Sequence, residues 1–183
     1  MARIYLDHAA TTPPDPRVLD AMWPAYTQNW GNASSIYLEG QHARRAVDEA
    51  RKVCADLLGA APKEIVFTSG GTESDNAAIR GAAFAQRERG RGSHIITTQI
   101  EHHAVLHTVE QLEREGFTAT YLPVDGDGLV DLAALAAAMT AETTVVSVMA
   151  ANNEVGTLQP LAEIARIAKG ANANVVEIGR AHV

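Results

Sequence analysis

The chain has 183 residues, of which 46% are hydrophobic, and this length is enough for one sizeable hydrophobic core. The formal net charge of −7 argues against a nucleic-acid partner. The sequence has no run of 18 apolar residues that would predict a membrane span, and no basic segment followed by an apolar one that would predict a secretory leader. We therefore expect a cytoplasmic protein, and the single cysteine, Cys54, argues against a disulfide framework.

The first 25 residues predict a strand, a loop and a helix. Residues 3–6 are expected to form a short strand that enters a loop of small residues and prolines at 7–14. Asp15 followed by Pro16 favours a helix start, because Asp caps helices well and Pro is tolerated at the first helical position. This helix is expected to end near Pro24.

A longer helix is predicted after the loop at 30–35. Apolar residues recur there every three or four positions, which is typical of one face of an amphipathic helix: Ala43, Ala46, Val47, Ala50, Val53, Cys54, Leu57 and Leu58. Gly59 is expected to end this helix. On this face Cys54 is interpreted as a small core residue.

From residue 64 onward, short β-branched runs alternate with longer helical patterns. The predicted strands are 64–68, 94–98, 118–122 and 143–149, and the predicted helices are 72–89, 103–115, 131–139 and 160–169. This alternation is typical of βαβ units, so we predict an α/β fold with a largely parallel sheet. Ligands of such sheets bind beyond the carboxyl ends of the strands.

The segment 69–72, Ser-Gly-Gly-Thr, lies between a predicted strand and a predicted helix. The first N–H groups of a helix have no intrahelical partner and the helix dipole favours an anion, so this turn predicts a phosphate site. Gly70 and Gly71 are expected to let the backbone turn sharply and approach the ligand. Thr72 adds a hydroxyl and an amide, and the acidic side chain of Glu73 is expected to point away from the phosphate.

Two other polar segments also follow predicted strands, Glu101-His102-His103 and Asn152-Asn153-Glu154. Because parallel strands end at the same edge of a sheet, a phosphate site, an imidazole and a carboxamide are expected to share one rim. Pyridoxal phosphate would use all three groups. Its phosphate would bind at the helix start, its pyridine ring would stack on the imidazole, and its phenolic oxygen would bind the amide.

Five stretches occur in the order and spacing of one enzyme family: Tyr5-Leu6-Asp7-His8-Ala9-Ala10-Thr11-Thr12-Pro13, Gly31-Asn32-Ala33-Ser34-Ser35, Phe67-Thr68-Ser69-Gly70-Gly71-Thr72-Glu73-Ser74-Asp75-Asn76, Glu101-His102-His103-Ala104-Val105-Leu106 and Asn152-Asn153-Glu154-Val155-Gly156. On these stretches the chain resembles the cysteine desulfurases of the iron–sulfur biogenesis type, in the class V aminotransferase group of fold-type I enzymes. The resemblance implies a three-layer αβα large domain, here truncated, with pyridoxal phosphate as cofactor and a homodimer as the full-length form.

The resemblance also implies roles for individual residues. Gly71 and Thr72 are similar to the family's phosphate binders. His102 is similar to the catalytic imidazole that stacks on the cofactor ring and shuttles protons, and Asn153 to the residue that touches the ring oxygen. The implied substrate-side residues are Ala10, Thr11, Thr12 and Asn32. The implied reaction removes sulfur from L-cysteine and gives L-alanine and an enzyme persulfide, which serves an acceptor protein such as an iron–sulfur scaffold.

The chain also departs from the family pattern. Ala33 stands where many members have proline, and Tyr37 where many have histidine. The family's His-x-Asp-Ala-x-Gln segment is expected soon after residue 172 and is not found there. The lysine that binds the cofactor covalently and the loop with the nucleophilic cysteine are also missing, since the three lysines stand in other contexts: Lys52, Lys63 and Lys169.

These absences predict an N-terminal fragment that is inactive alone. We expect residues 1–15 to form an N-terminal segment near the active site and residues 16–176 an incomplete cofactor-binding large domain. Residues 177–183 are expected to be a non-native tail, because Glu-Ile-Gly-Arg-Ala-His-Val is what a common sequencing-library adapter would encode.

Other interpretations stay open at this point. A selenocysteine lyase or another class V relative would carry the same motifs, and a phosphate-ligand binding domain without catalysis would keep the Gly-Gly-Thr turn. A metal site at Glu101, His102, His103 and His107 is a weaker alternative, because His103 and His107 are expected on a solvated helix face. Residues 125–128, Asp-Gly-Asp-Gly, are expected to form a turn rather than a calcium loop.

Overall fold

The structure is a computed structural model that describes residues 4–8, 10–170 and 174–178, the last range by its backbone alone. The chain divides into two compact units, Met1–Phe67 and Thr68–His182, and each is described by itself. In the part of the chain so described, no helix is long and apolar enough to cross a membrane.

The described residues of the first unit form three helical segments: α1 (Pro16–Thr27), α2 (Leu38–Leu58) and a 3-10 helix (Pro62–Glu64). Both predicted caps are confirmed. The Asp15 carboxylate accepts a hydrogen bond from the Arg17 N–H at 2.8 Å. Gly59 ends α2 with a φ of 64°, a left-handed conformation that glycine adopts without strain.

The two strands predicted for this part of the chain are wrong. Residues 4–6 form no strand, and Arg3 lies outside the described residues. Residues 65–68 continue from the 3-10 helix without pairing to any described strand. The β-branched and aromatic composition of 64–68 favours an extended backbone, but a strand also needs a neighbour to hydrogen-bond with its N–H and C=O groups.

The predicted helices of the first unit exist, but their extents and burial differ from expectation. α1 continues past Pro24 to Thr27, and α2 begins five residues before the first apolar residue of the predicted face. Val53, Leu57 and Leu58 are exposed, and Cys54 is partly buried rather than a core residue. The periodicity therefore predicted the helix correctly. The apolar face that it indicated is largely exposed rather than packed in a core.

The second unit alternates helices and strands: α3 (Gly71–Glu88), β1 (His94–Thr98), α4 (His103–Arg114), β2 (Thr118–Leu122), α5 (Leu132–Ala138), β3 (Thr143–Met149), α6 (Leu161–Gly170) and β4 (Asn174–Ile178). All three strand pairings are parallel. The ends of β1, β2 and β3 match the predicted strands residue for residue. β4 was not predicted, and it extends into the segment 177–183 that was expected to be a non-native tail.

Helices cover both faces of this sheet, which gives the predicted three-layer αβα arrangement. Ile95 of β1 packs with Val145 of β3 and with apolar side chains of α3 and α4. The next residue, Ile96, points to the opposite face and packs with Val146 and with side chains of α5 and α6. Because the strands are buried on both faces, β1 and β3 consist entirely of buried residues, as expected for a parallel sheet.

The strand order is β2-β1-β3-β4, so the chain moves outward from β1 to β2 and then returns to the other side of β1. The connections therefore diverge between β1 and β3, and a crevice opens beyond the carboxyl ends of these two strands. The segments after β1 and β3 begin with Gln99 and Ala150. The polar segments at 101–103 and 152–154 therefore lie at the same edge of the sheet, as predicted, and this edge is the switch point of the strand order.

A buried histidine joins three strands at the opposite end of the sheet. His94 Nδ1 lies 2.8 Å from Thr143 Oγ1 on β3, and His94 Nε2 lies 2.9 Å from Thr120 Oγ1 on β2. Burial lowers the pKa of His94, because a charged imidazolium loses hydration there. The neutral ring therefore serves as a hydrogen-bonded link across the amino end of the sheet.

Replacing His94 with Leu is expected to flatten the pH dependence of stability below pH 6.5, the ordinary pKa of histidine. The unfolded chain binds a proton there that the folded chain does not, so acidification lowers the free energy of unfolding through this group. Urea unfolding at a series of pH values measures the effect, with the exposed His107→Leu as control. Equal pH profiles for His94→Leu and the unchanged chain would contradict this role.

Candidate active site

The start of α3 forms one side of the candidate site. Glu73 reaches back from the first helical turn, and its carboxylate accepts hydrogen bonds from the Ser69 N–H at 2.7 Å and from the Ser69 hydroxyl at 2.6 Å. These bonds lower the pKa of Glu73. The acidic side chain is thus bound to the turn before the helix, while the first N–H groups of α3, those of Gly71 and Thr72, have no intrahelical acceptor.

One expectation for this turn needs correction. Gly70 has a φ of 166°, an extended conformation that any residue can adopt, and an added Cβ would meet nothing within 4 Å. The turn therefore does not require the conformational freedom of glycine at this position. Close approach of a ligand to the backbone is the remaining physical reason for a small residue here.

A groove between α3 and α4 brings Thr72 and His102 together. It has a volume of about 610 Å³, and its lining includes Thr72 and Arg80 from α3 and His102, His103 and His107 from the α4 segment. Arg80 is held at one end of this groove by a bidentate pair with Glu115, at 3.1 and 3.0 Å. Two of the predicted cofactor-binding residues thus share one cavity.

His102 is the N-cap of α4, a role that the sequence did not predict. Its Nδ1 accepts a hydrogen bond from the Ala104 N–H at 3.0 Å. An imidazole nitrogen that accepts a hydrogen bond carries no proton, so the neutral ring has its hydrogen on Nε2. The N-cap therefore fixes the orientation and the tautomer of His102, and Nε2 is the atom through which the neutral ring can donate a hydrogen bond.

A second cleft, with a volume of about 470 Å³, lies beside His102 and is lined by three loops. Residues 99–103 follow β1, residues 125–128 follow β2, and residues 152–155 follow β3. Asn153 lines this cleft and is partly buried, and its side chain makes no hydrogen bond to any described residue. The predicted meeting of the polar segments after β1 and β3 is thus present in the structure.

Glu101 links the two central strands at this edge. It is 5% exposed, and its Oε1 accepts hydrogen bonds from the Thr98 hydroxyl at 2.8 Å and from the Met149 N–H at 2.9 Å. Burial raises the pKa of Glu101 to about 7, with a smaller contribution from the Asp75 carboxylate. Sequence reasoning placed Glu101 in the polar segment after β1 and gave it no individual role beyond a weak metal alternative, because nothing in the pattern indicates that this carboxyl is buried.

The predicted substrate-side residues belong to the first unit. Ala10, Thr11 and Asn32 are exposed and Thr12 is partly buried. The Asn32 side chain accepts a hydrogen bond from the Ser34 N–H at 2.9 Å, which is a local turn interaction. Their placement beside the second unit stays a prediction.

Thr72 lines the groove and Asn153 lines the cleft, and His102 lines both, so the two cavities together offer three kinds of group. Helix N–H groups favour an anion, a flat imidazole offers a stacking surface, and a carboxamide offers both a donor and an acceptor. His103 and His107 stack on each other with ring centroids 5.4 Å apart. The described residues include no group of three or more His, Cys, Asp or Glu arranged to hold a metal ion. The donor set suits an organic phosphate with a flat polar ring.

Comparisons with known proteins identify the family and the fold. The family model for class-V aminotransferases matches residues 4–177. A cysteine desulfurase IscS of Methanosarcina thermophila is 55% identical over 166 residues, which make up 91% of this chain and 41% of that protein. A solved NifS-like protein is 42% identical with a TM-score of 0.91, covering 96% of this chain and 48% of that one. A structure described as SspA in complex with cysteine is 39% identical with a TM-score of 0.88, covering 94% and 49%.

The chain therefore spans less than half the length of these relatives. Within the matched part, the likeness covers both the fold and the loops that carry the candidate site.

Replacing Glu101 with Gln is expected to remove a contribution to the free energy of unfolding that depends on pH. The folded pKa of about 7 lies above the ordinary 4.5, so the folded chain keeps a proton that the unfolded chain has released between these values. The unfolding free energy therefore falls through this group as pH rises from 4.5 to 7, by about 3 kcal/mol at 1.36 kcal/mol per pKa unit.

Urea unfolding of the Glu101→Gln variant and the unchanged chain, at pH 4.5 and at pH 7.5, measures this term. The stability of the variant relative to the unchanged chain should rise between the two pH values. The exposed Glu110→Gln makes the same charge change on α4 and should show no such rise. A stability difference that is the same at both pH values would contradict the raised pKa.

Proposed function

Because the chain belongs to the class-V aminotransferase family, we propose that it forms the cofactor-binding part of a pyridoxal-phosphate-dependent cysteine desulfurase. The proposed reaction removes sulfur from L-cysteine and gives L-alanine and an enzyme persulfide. The observation that carries the proposal is the groove shared by Thr72 and His102, which joins a helix start to a flat imidazole. The relatives named cysteine desulfurase, at 55% and 49% identity, support the same reaction.

Gly71 and Thr72 bind the phosphate in this proposal. Their N–H groups lie at the start of the 18-residue helix α3, where the helix dipole favours an anion. Glu73 does not compete for these groups, because its carboxylate is bound to Ser69. The cofactor, when bound, supplies an electron sink for charge that develops on the substrate, and the protein supplies binding and orientation.

His102 stacks on the cofactor ring and shuttles protons in this proposal. The hydrogen bond from the Ala104 N–H occupies Nδ1, so the neutral ring caps α4 and can donate a hydrogen bond to a ligand from Nε2. Protonation of Nδ1, in contrast, would break that cap. Asn153 touches the ring oxygen, and Ala10, Thr11, Thr12 and Asn32 contribute to the substrate side of the site.

Sulfur transfer needs a thiolate nucleophile, whose reactivity depends on its pKa and its access to the substrate. Cys54 is partly buried within α2, and we do not assign it this role. The isolated chain is therefore proposed to bind the cofactor without turnover. The complete enzyme is proposed to act as a cytoplasmic homodimer that passes sulfur to an acceptor protein, such as an iron–sulfur scaffold.

Replacing Thr72 with Ala is expected to weaken the binding of pyridoxal phosphate to the chain. Loss of one charge-assisted hydrogen bond costs about 1–3 kcal/mol, which corresponds to roughly a 5- to 150-fold higher Kd. Equilibrium dialysis measures the Kd, and Thr118→Ala, an exposed threonine at the start of β2, is the matched control. Equal Kd values for Thr72→Ala and the unchanged chain would refute the phosphate site.

Two substitutions of His102 are expected to separate its two roles. His102→Asn keeps a good N-cap for α4 but removes the stacking surface, so cofactor affinity should fall about tenfold with little loss of stability. His102→Phe keeps a flat ring but removes the cap, so the free energy of unfolding should fall by about 1 kcal/mol. This variant should bind pyridoxal phosphate more tightly than His102→Asn does. Dialysis and urea unfolding measure the two effects. If both variants lost affinity and stability in equal proportion, the separate roles would be excluded.

A further inference from the structure

The two residues proposed to touch the cofactor ring share a feature of their surroundings. His102 is directly preceded by Glu101, and Asn153 is directly preceded by Asn152. Both preceding residues are polar and at least nine-tenths buried, with exposures of 5% and 9%. Burial of polar side chains has a cost unless they make specific hydrogen bonds, so the bonds of this pair indicate what they do.

Glu101 reaches from the loop after β1 to the end of β3. The last paired residues of the two strands are Thr97 and Ser147, and two residues later the Met149 N–H has no backbone partner on β1. The Oε1 atom of Glu101 accepts that N–H at 2.9 Å and also accepts the Thr98 hydroxyl at 2.8 Å. A side chain thus continues the β1–β3 ladder after the backbone of β1 has left the sheet.

Asn152 reaches in the opposite direction. Its Nδ2 donates to the Ile100 carbonyl in the loop after β1, at 3.1 Å. Its Oδ1 accepts the N–H groups of Glu154 and Val155, at 2.9 and 3.0 Å. One amide therefore ties the two loops together and also sets the turn that carries Asn153.

We propose that Glu101 and Asn152 are reciprocal positioning residues that hold His102 and Asn153 in one rigid frame, and that Glu101 acts in its neutral, protonated form. The significance of this frame for the cofactor rests on the proposed function. The frame itself is a property of this chain and can be tested without any ligand.

The neutral form of Glu101 follows from its surroundings. The titratable groups that line the same cleft or act on this carboxyl are Asp75 from α3, His102 and His103 from its own segment, Asp125 and Asp127 after β2, and Glu154 after β3. No Lys or Arg occurs among the described residues that line this cleft. A buried carboxyl with acidic neighbours and no cationic partner favours the uncharged state, and the pKa of about 7 agrees with that.

The position of the proton follows from the hydrogen bonds. Oε1 accepts two hydrogen bonds, and Oε2 makes none to any described residue, so the proton of neutral Glu101 lies on Oε2. Ionisation above pH 7 would place a negative charge in the cleft that His102 and Asn153 also line. The surroundings of His102 and Asn153 would then change with pH. A carboxyl that does not position these two residues would leave their surroundings unchanged.

NMR of the full chain between pH 5.5 and 8.5 tests the frame without ligand. In the unchanged chain, the Met149 amide and the Asn153 side-chain amide should both show a chemical-shift step near pH 7. Glu101→Gln keeps an acceptor for Thr98 and Met149, so it should abolish this step while Met149 exchange stays within about threefold. Glu101→Leu should speed Met149 exchange at least tenfold and displace both Asn153 side-chain signals.

The control Glu110→Gln makes the same charge change on the exposed face of α4 and should keep the step near pH 7. If Glu101→Leu does not fold, Thr98→Val takes its place in the test. This variant removes one of the two hydrogen bonds to Oε1 of Glu101 and should speed hydrogen exchange of the Met149 amide by a smaller factor. An unchanged step in Glu101→Gln would overturn the neutral acid. Unchanged Met149 exchange in Glu101→Leu or Thr98→Val would overturn the frame.

Dialysis of pyridoxal phosphate against the same variants links the frame to the cofactor. Glu101→Leu and Asn152→Ala should each raise the Kd at least tenfold, while Glu101→Gln at pH 6 should raise it less than threefold. Absence of binding to the unchanged chain would refute the proposed function, and the NMR measurements would still decide on the frame. Binding that is equally tight in all variants would overturn the positioning role alone.

Discussion

The hydrogen bond from the Met149 N–H to the Glu101 carboxyl is the interaction on which the site depends. The strand order reverses between β1 and β3, so the backbones of these strands diverge where a ligand crevice must open. Divergence leaves N–H groups without ladder partners, and a buried N–H without an acceptor costs about 1–3 kcal/mol. Glu101 supplies the missing acceptor. The same side chain that satisfies the sheet thus fixes the segment from which His102 extends.

The face of the sheet toward α3 and α4 changes character along the strands. Ile95 and Val145 are apolar and pack in the core, but two residues nearer the site their positions are taken by Thr97 and Ser147. Both hydroxyls are fully buried and make no hydrogen bond to any described residue. Leaving a buried hydroxyl unpaired costs about 1–3 kcal/mol. Stability is thus lower near the site, as is common where a protein positions polar groups for chemistry.

The sequence predicted some elements correctly and others wrongly, and the difference has physical reasons. The ends of β1 and β3 were predicted to the residue, because both strands are short runs rich in β-branched Ile, Val and Thr residues that stand between helical patterns. Residues 65–68 have a similar composition but form no strand, because pairing depends on a neighbour that local sequence does not contain. Thr72, His102 and Asn153 were assigned from the motifs that carry the family resemblance, and the segments that hold His102 and Asn153 follow strands as predicted. The N-cap role of His102 and the burial of Glu101 were missed, because both depend on tertiary contacts.

The two halves of the site are held by different means, and they would respond differently to mutation. At α3 the proposed anion site combines backbone N–H groups, whose positions follow from the helix itself, with the hydroxyl of Thr72. At the switch point, the orientation of His102 and Asn153 depends on the side chains of Glu101 and Asn152, through bonds that one substitution removes. Substitution at Thr72 should therefore act mainly on affinity, through the loss of one hydrogen bond. Substitution of Glu101 or Asn152 should displace His102 and Asn153. Such a displacement should affect the rate of proton transfer more than the affinity for the ligand, because a misplacement of a reacting group by about 1 Å can cost roughly 100-fold in rate.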